Sequence, residues 1–263
     1  MLTTAVADRT RYSHIRYHAS ADLDTCVEHF WSVRWDLRGV TPERAETLPH
    51  PSVQMIFEHN GGGQIAGVAR GKFSRLLEGE GGVFAAKFRP GGFYQFVGVP
   101  MSAYTDTVQS LGDVFGRDGD VLEADVRSAR DDPSRIAVIE DFLRGRATES
   151  GAQVARIAEI VYAAAADRTI LRVDDLVERY GMNTRALQRL FAQYVGVSPK
   201  WVIQRYRLHE AAEQLAGGPV HQSTLALSLG YSDQAHFVRD FKRVVGISPA
   251  SYAKAARGKR HDA

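Results

Sequence analysis

The stretch LVERYGMNTRALQRLFAQYVGVSPKW, starting at Leu176, is written a second time as LALSLGYSDQAHFVRDFKRVVGISPASY, starting at Leu225. Downstream of the turn the offset is a constant 50 residues. It pairs Leu187 with Phe237, Arg189 with Arg239, Phe191 with Phe241, Gly196 with Gly246 and Ser198-Pro199 with Ser248-Pro249. Gly181 and Gly230 are 49 apart, so the second copy carries one extra residue in or just after its turn. Helix, short glycine-containing turn, then helix is the signature of a helix-turn-helix, and two copies in register make chance a poor explanation.

The flanking text supplies the punctuation of helices. Val154 to Ala166 places Ile157, Ile160 and Val161 on one face. A second helix is predicted from Val173 to Tyr180, with Gly181 as its stop. Asn183 or Thr184 caps a third that runs to about Val195. Ser198 and Pro199, a cap followed by a first-turn proline, open a long fourth helix to Leu215. The grammar then returns: Ser223 to Leu229, Ser232 as cap, a helix to Val245, and Ser248-Pro249 opening the last one.

In the third helix Leu187, Leu190, Phe191 and Val195 share an apolar face, which leaves Arg185, Gln188, Arg189 and Ala192 on the other. In the second copy Phe237, Phe241, Val244 and Val245 face the core, while Gln234, His236, Arg239 and Arg243 point away from it. Such a polar face suits the major groove of DNA, where Arg pairs with guanine and Gln with adenine. Helix N-termini expose free N–H groups and a positive dipole end, so the segments opening at Thr184, Ser198, Ser232 and Ser248 are expected to hold phosphates, with charge added by Lys200, Lys242 and Arg243. Alternating charged and apolar residues describe any solvated helix equally well, and many helical repeats never touch nucleic acid.

Charge favours the groove reading. Residues 168–263 hold 15 Lys and Arg against 8 Asp and Glu, whereas residues 1–167 hold 18 against 23. A basic half attracts a polyanion, because each neutralised phosphate releases condensed counterions. Hydrophobic residues at 44% and charged ones at 24% exclude a disordered chain, and no apolar run is long enough to span a bilayer. The opening residues show no secretion signal, so a cytoplasmic protein is expected. Cys26 is the only cysteine; it excludes a disulfide framework within the chain and a site built from several thiolates.

The first half changes character along its length. From Ser52 to Arg89 short apolar stretches at period two alternate with glycine clusters, a run of strands and turns. Helical spacing follows over Asp118–Arg130 and Ser134–Arg146. The polar stretch Gly145–Gln153 is the expected boundary. The division is therefore 1–147 (β-rich over 17–97, helical over 98–147), 153–256, and a basic tail at 257–263. Within the second part, helix-turn-helix one occupies 173–196, the connecting helix 198–215 and helix-turn-helix two 223–246.

Residues 153–256 resemble the DNA-binding domain of the AraC/XylS family of transcription regulators, which has two helix-turn-helix subdomains joined by a long helix. GYSDQAHFVRDFKRVVGISPASY carries the likeness most specifically, and RALQRLFAQYVGVSPKWVIQRYRLHEAAEQL extends it. Carried over position by position, the family's groove-reading sites fall on Arg185, Gln188 and Arg189, then on Ala235, His236 and Arg239. Ala235 departs from the polar residue often found there, which leaves it only apolar contact, as with a thymine methyl. The resemblance implies two recognition helices in successive major grooves, ~34 Å apart on one face of the duplex.

Residues 17–147 are similar to the N-terminal domain of one AraC subgroup, through LPHPSVQMIFEH and FAAKFRPGGFYQFVGVP. That likeness implies an α+β two-domain protein: a β-rich, cupin-like barrel or sandwich with helices, then the all-α DNA-binding part. Such first domains serve as effector or dimerisation modules. Trp31, Phe57, Arg89 and Phe93 could line an effector pocket, or they could be ordinary core. His50, Glu58 and His59 lack metal-site spacing, so no metal and no cofactor are expected. No nucleophile elbow, phosphate loop or HExxH motif is present, which argues against an enzyme and leaves a DNA-tethered catalytic domain as the alternative. The implied function is sequence-specific activation rather than repression. Expected partners are duplex DNA, RNA polymerase, a small effector and a second protomer, with no membrane.

Overall fold

The computed structural model describes residues 11–148 and 151–261, with side chains left out from 258 onward. Parts of the expected boundary stretch and basic tail therefore lie outside the described residues. Among the described residues of the first half there are eight strands: β1 (Tyr12–Tyr17), β2 (Val27–Leu37), β3 (Glu43–Thr47), β4 (Gln54–Glu58), β5 (Gly63–Ala66), β6 (Phe73–Leu77), β7 (Gly79–Phe88) and β8 (Val108–Ser110). Six of them form one antiparallel sheet in the order β1-β2-β7-β4-β5-β8, and β3 pairs with β6 in a separate two-stranded sheet. The two sheets do not close into a barrel.

Burial along β2 explains the layering. Phe30 and Ser32 are buried at even positions, then Trp35 and Leu37 at odd ones, so the buried face changes partway along the strand. The first portion packs in a core shared with α3 (Arg117–Ser128) and α4 (Asp132–Arg144), through Phe30, Phe84, Leu122, Val126 and Ile139. The second packs Trp35 and Leu37 against Leu77 of the small sheet. Alternation of this kind lets one long strand serve two layers. Two short helices, α1 (Tyr94–Val97) and α2 (Leu111–Phe115), complete this half.

Beyond it every element is helical: α5 (Gly151–Ala166), α6 (Val173–Tyr180), α7 (Thr184–Tyr194), α8 (Pro199–Gly217), α9 (Gln222–Ser228), α10 (Gln234–Val245) and α11 (Pro249–His261). Each expected helix of this region is present, with its ends shifted by a few residues at most. Ser198 accepts a hydrogen bond from the Trp201 N–H at 3.2 Å, and Pro199 follows as first helical residue. One cap differs from expectation: Asp233, not Ser232, caps α10, accepting from the His236 N–H at 2.7 Å. Ser232 instead donates its hydroxyl to Asp233 at 3.1 Å. Aligning Asp233 with Asn183, which caps α7 from the same offset, makes Ser232 the inserted residue of the second turn.

Each helix-turn-helix has its own apolar centre. Leu176, Leu187, Phe191 and Val202 belong to the first, and Leu225, Ala226, Phe237 and Phe241 to the second. Each also incorporates a residue of the first half, Val68 in one and Leu48 in the other. No helix among the described residues is long and apolar enough to cross a membrane.

Candidate nucleic-acid interface

α7 and α10 turn one face inward and one outward. On α7 Leu187 and Phe191 are fully buried, whereas Arg185, Gln188, Arg189 and Ala192 are exposed. On α10 Phe237 and Phe241 are buried and Gln234, Ala235, His236 and Arg239 are exposed. Arg185, Arg189 and Arg239 form no ion pair among the described residues, so their guanidinium groups are available to an incoming acceptor. The His236 ring stands edge-on to Tyr231 at 5.3 Å, which fixes its direction. The sequence marks Tyr231 only by its place just after Gly230.

The expected phosphate contacts are also on the surface. Thr184, Ser198, Lys200, Ser232, Lys242 and Arg243 are all exposed. Arg243 reaches back to Asp240 at 2.7 Å, so part of its charge is already matched. The His236 N–H and the Ser232 hydroxyl together hold the Asp233 carboxyl below its usual pKa. A carboxylate thus sits at the N-cap of α10, favourable to the helix dipole but competing with any phosphate placed there.

The C-terminal ends of both helices abut the first half. Gln193 donates to the Tyr94 hydroxyl at 2.9 Å, and Tyr94 lies 4.5 Å from Tyr194, ring to ring. The Thr105 hydroxyl donates to the Gly196 carbonyl at 2.6 Å. Gly196 has φ +91°, and a Cβ there would fall 2.7 Å from the Met101 carbonyl oxygen, so only glycine suits the junction. Gly246, with φ +93°, faces the Lys72 ammonium group. Both helices are thereby held at one end and open at the other, where the Arg and Gln side chains project.

The connecting helix α8 is buried on several sides. Arg205, 2% exposed, donates to the Arg70 carbonyl at 2.6 Å and lies over the Trp201 ring, and burial lowers its pKa to about 10. Arg207 donates to the Ile170 carbonyl. His209 stacks on His50 with centroids 4.3 Å apart, and burial lowers their pKa values to about 3 and about 4 respectively.

The four expected effector residues are not brought together. Phe93 is 1% exposed among Phe88, Phe96, Tyr104 and Phe115. The Trp31 indole donates to Gln54 at 3.0 Å, and Arg89 is bound to Asp24. Only Phe57 lines the cavity of the first half. Glu58 pairs with Arg75, and no group of three or more His, Cys, Asp or Glu among the described residues could hold a metal.

Residues 176–255 match the helix-turn-helix domain family, and residues 15–110 match a domain of unknown function (DUF6597). The transcriptional activator AarP of Providencia stuartii is 33% identical over 88 residues, 34% of this chain and 65% of that protein. An AraC-like transcription regulator of Streptomyces lividans is 33% identical over 82 residues, 31% of this chain and 27% of that protein. The chain spans about a quarter of the length of several of the curated relatives it matches. ToxT of Vibrio cholerae is similar at 13% identity with a TM-score of 0.40, over 93% of this chain and 98% of that one.

Proposed function

We propose, for a chain that belongs with the AraC/XylS-like helix-turn-helix transcription regulators, that α7 and α10 read bases in successive major grooves of one duplex. The observation that carries this is the paired exposure of unengaged arginines on two helices whose apolar faces are buried in separate cores. Arg185, Gln188 and Arg189 serve one half-site and Gln234, Ala235, His236 and Arg239 the other. Thr184, Ser198, Lys200, Ser232, Lys242 and Arg243 contact the backbone and set register. The boundaries 1–147 and 153–256 divide a modulating half from a reading half, in a protein that works in the cytoplasm.

Activation rather than repression follows by analogy with the Providencia relative, and RNA polymerase is then the protein partner at the promoter. The first half modulates this activity by binding a small molecule or by pairing protomers. Its contacts with the ends of α7 and α10 supply the physical route. Selection from random duplexes, followed by hydroxyl-radical footprinting with the full chain, tests the reading. Two protected patches about one helical turn apart on one face are expected. A single patch, or binding without sequence preference, would overturn it.

A further inference from the structure

A cavity of about 710 Å³ opens between the six-stranded sheet and the α3–α4 pair, where the helices cease to cover the even face of β2. Its apolar floor is Phe57, Phe84 and Val126. The space exists because β7 carries glycine where a side chain would fill it. A Cβ on Gly82 would lie 3.4 Å from the Arg34 Cγ and project to the cavity side.

The wall nearest α4 is positively charged. Arg34 and Arg135 both line the cavity and share a single carboxylate, Asp132, at 2.9 and 2.8 Å. Asp132 is 4% exposed and also accepts from the Tyr17 hydroxyl, so its oxygens are already occupied. Arg130, an exposed lining residue, forms no ion pair among the described residues. By contrast the acids of the opposite wall are matched by arginines reaching in from outside: Glu58 by Arg75, and Asp36 and Glu80 by Arg38. Arg135 lies over the Phe84 ring at 5.9 Å, which places its fork beside the apolar floor.

We infer that this cavity binds a small molecule with an anionic head, a carboxylate or phosphate monoester, on a compact apolar body: the head seats against Arg34, Arg130 and Arg135, the body over Phe57 and Phe84. Guanidinium forks match such heads with two parallel hydrogen bonds. This deepens the proposed modulation by the first half and rests on it for its regulatory meaning.

Calorimetry on the full chain tests the site with phenyl phosphate as probe, and with benzyl alcohol and benzylamine as neutral and cationic controls. Saturable binding of phenyl phosphate alone is expected. It weakens about tenfold in Arg135→Gln, which removes the guanidinium charge and its fork while keeping a shorter polar side chain. Gly82→Leu, which fills the space, abolishes it. Should Gly82→Leu fail to fold, Arg135→Gln and Arg130→Gln decide the matter. Absence of saturable binding, equal binding of benzylamine, or unchanged affinity in the arginine variants overturns the inference. A parallel DNA titration separates the two readings: phenyl phosphate bound without any change in DNA affinity keeps the site and sinks the modulation, whereas no binding sinks the site and leaves DNA recognition untouched.

Discussion

The two helix-turn-helix units share a grammar and differ in how they are held. Each has an Asx cap, a buried phenylalanine pair member at the same offset, a left-handed glycine and a Ser-Pro start to the next helix. Yet Val197 is 5% exposed in the first, and its counterpart Ile247 is 42% exposed in the second. Leu190, packed in the first core, is replaced by Asp240, which is mostly covered and pairs with the exposed Arg243. The first unit is tied to the β-rich half by direct hydrogen bonds and a tyrosine pair; the second meets it through Leu48 and Lys72. Identical local rules therefore give one anchored unit and one freer unit, because tertiary contacts decide what the repeat leaves open.

The strongest test of that contrast is in the cores. Phe191→Ala and Phe241→Ala each remove a fully buried ring and should cost ~3–5 kcal/mol. Hydrogen exchange should show Phe191→Ala loosening the adjoining β-rich half, and Phe241→Ala confined to the last forty or so residues. Equal spread from both variants breaks the comparison. Next in size, Arg189→Ala and Arg239→Ala should each weaken DNA binding by ~1–3 kcal/mol and relax preference in one half-site only. A binding-site selection reads this directly, and loss of preference at both half-sites would mean the readers are not separable.

A third prediction concerns acid. His209 is buried and His50 half-buried against it, and both are held neutral, with pKa values near 3 and 4 instead of 6.5. As pH falls below 6.5 the unfolded chain takes up protons that the folded chain refuses. The stability they contribute is complete above that pH and declines down to about 4 for His50 and about 3 for His209. Denaturant titration across this window should show the decline, and His50→Phe with His209→Phe should flatten it. Smallest is Lys242→Ala, expected to weaken binding on all sequences and lower the salt slope by about one. A sequence-selective loss would move Lys242 from backbone to base contact.

How much of this was legible depends on the kind of signal. Caps, stops and apolar faces repeat with short periods, so α6 to α11 could be placed from the text almost to the residue. The cap of α10 was misplaced because Ser232 and Asp233 both have capping side chains, and the inserted residue shifted which one meets the third N–H. The strand run over 52–89 was visible, whereas β1, β2 and β3 were not identified individually. Leu48, Val68, Tyr94 and Thr105 carry no mutual spacing, so the docking surface that they form exists only once the sheet has folded. Arg205 and Arg207 look like solvated charges on a helix until backbone carbonyls of other elements are seen to receive them. The cavity was hidden for a different reason: it is made by a missing side chain at Gly82 and by arginines from β2 and α4, about a hundred residues apart.

α8 joins the two helix-turn-helix units. It is a 19-residue rod, ~28 Å long at ~1.5 Å per residue, and packing on several sides leaves it little room to bend. Jaws mounted on such a bar behave as a calliper with a locked gap: they measure the duplex instead of adapting to it. Inserting about five base pairs between the half-sites would turn one groove to the far side of the helix. The protein would then clasp either half alone, never the two at once.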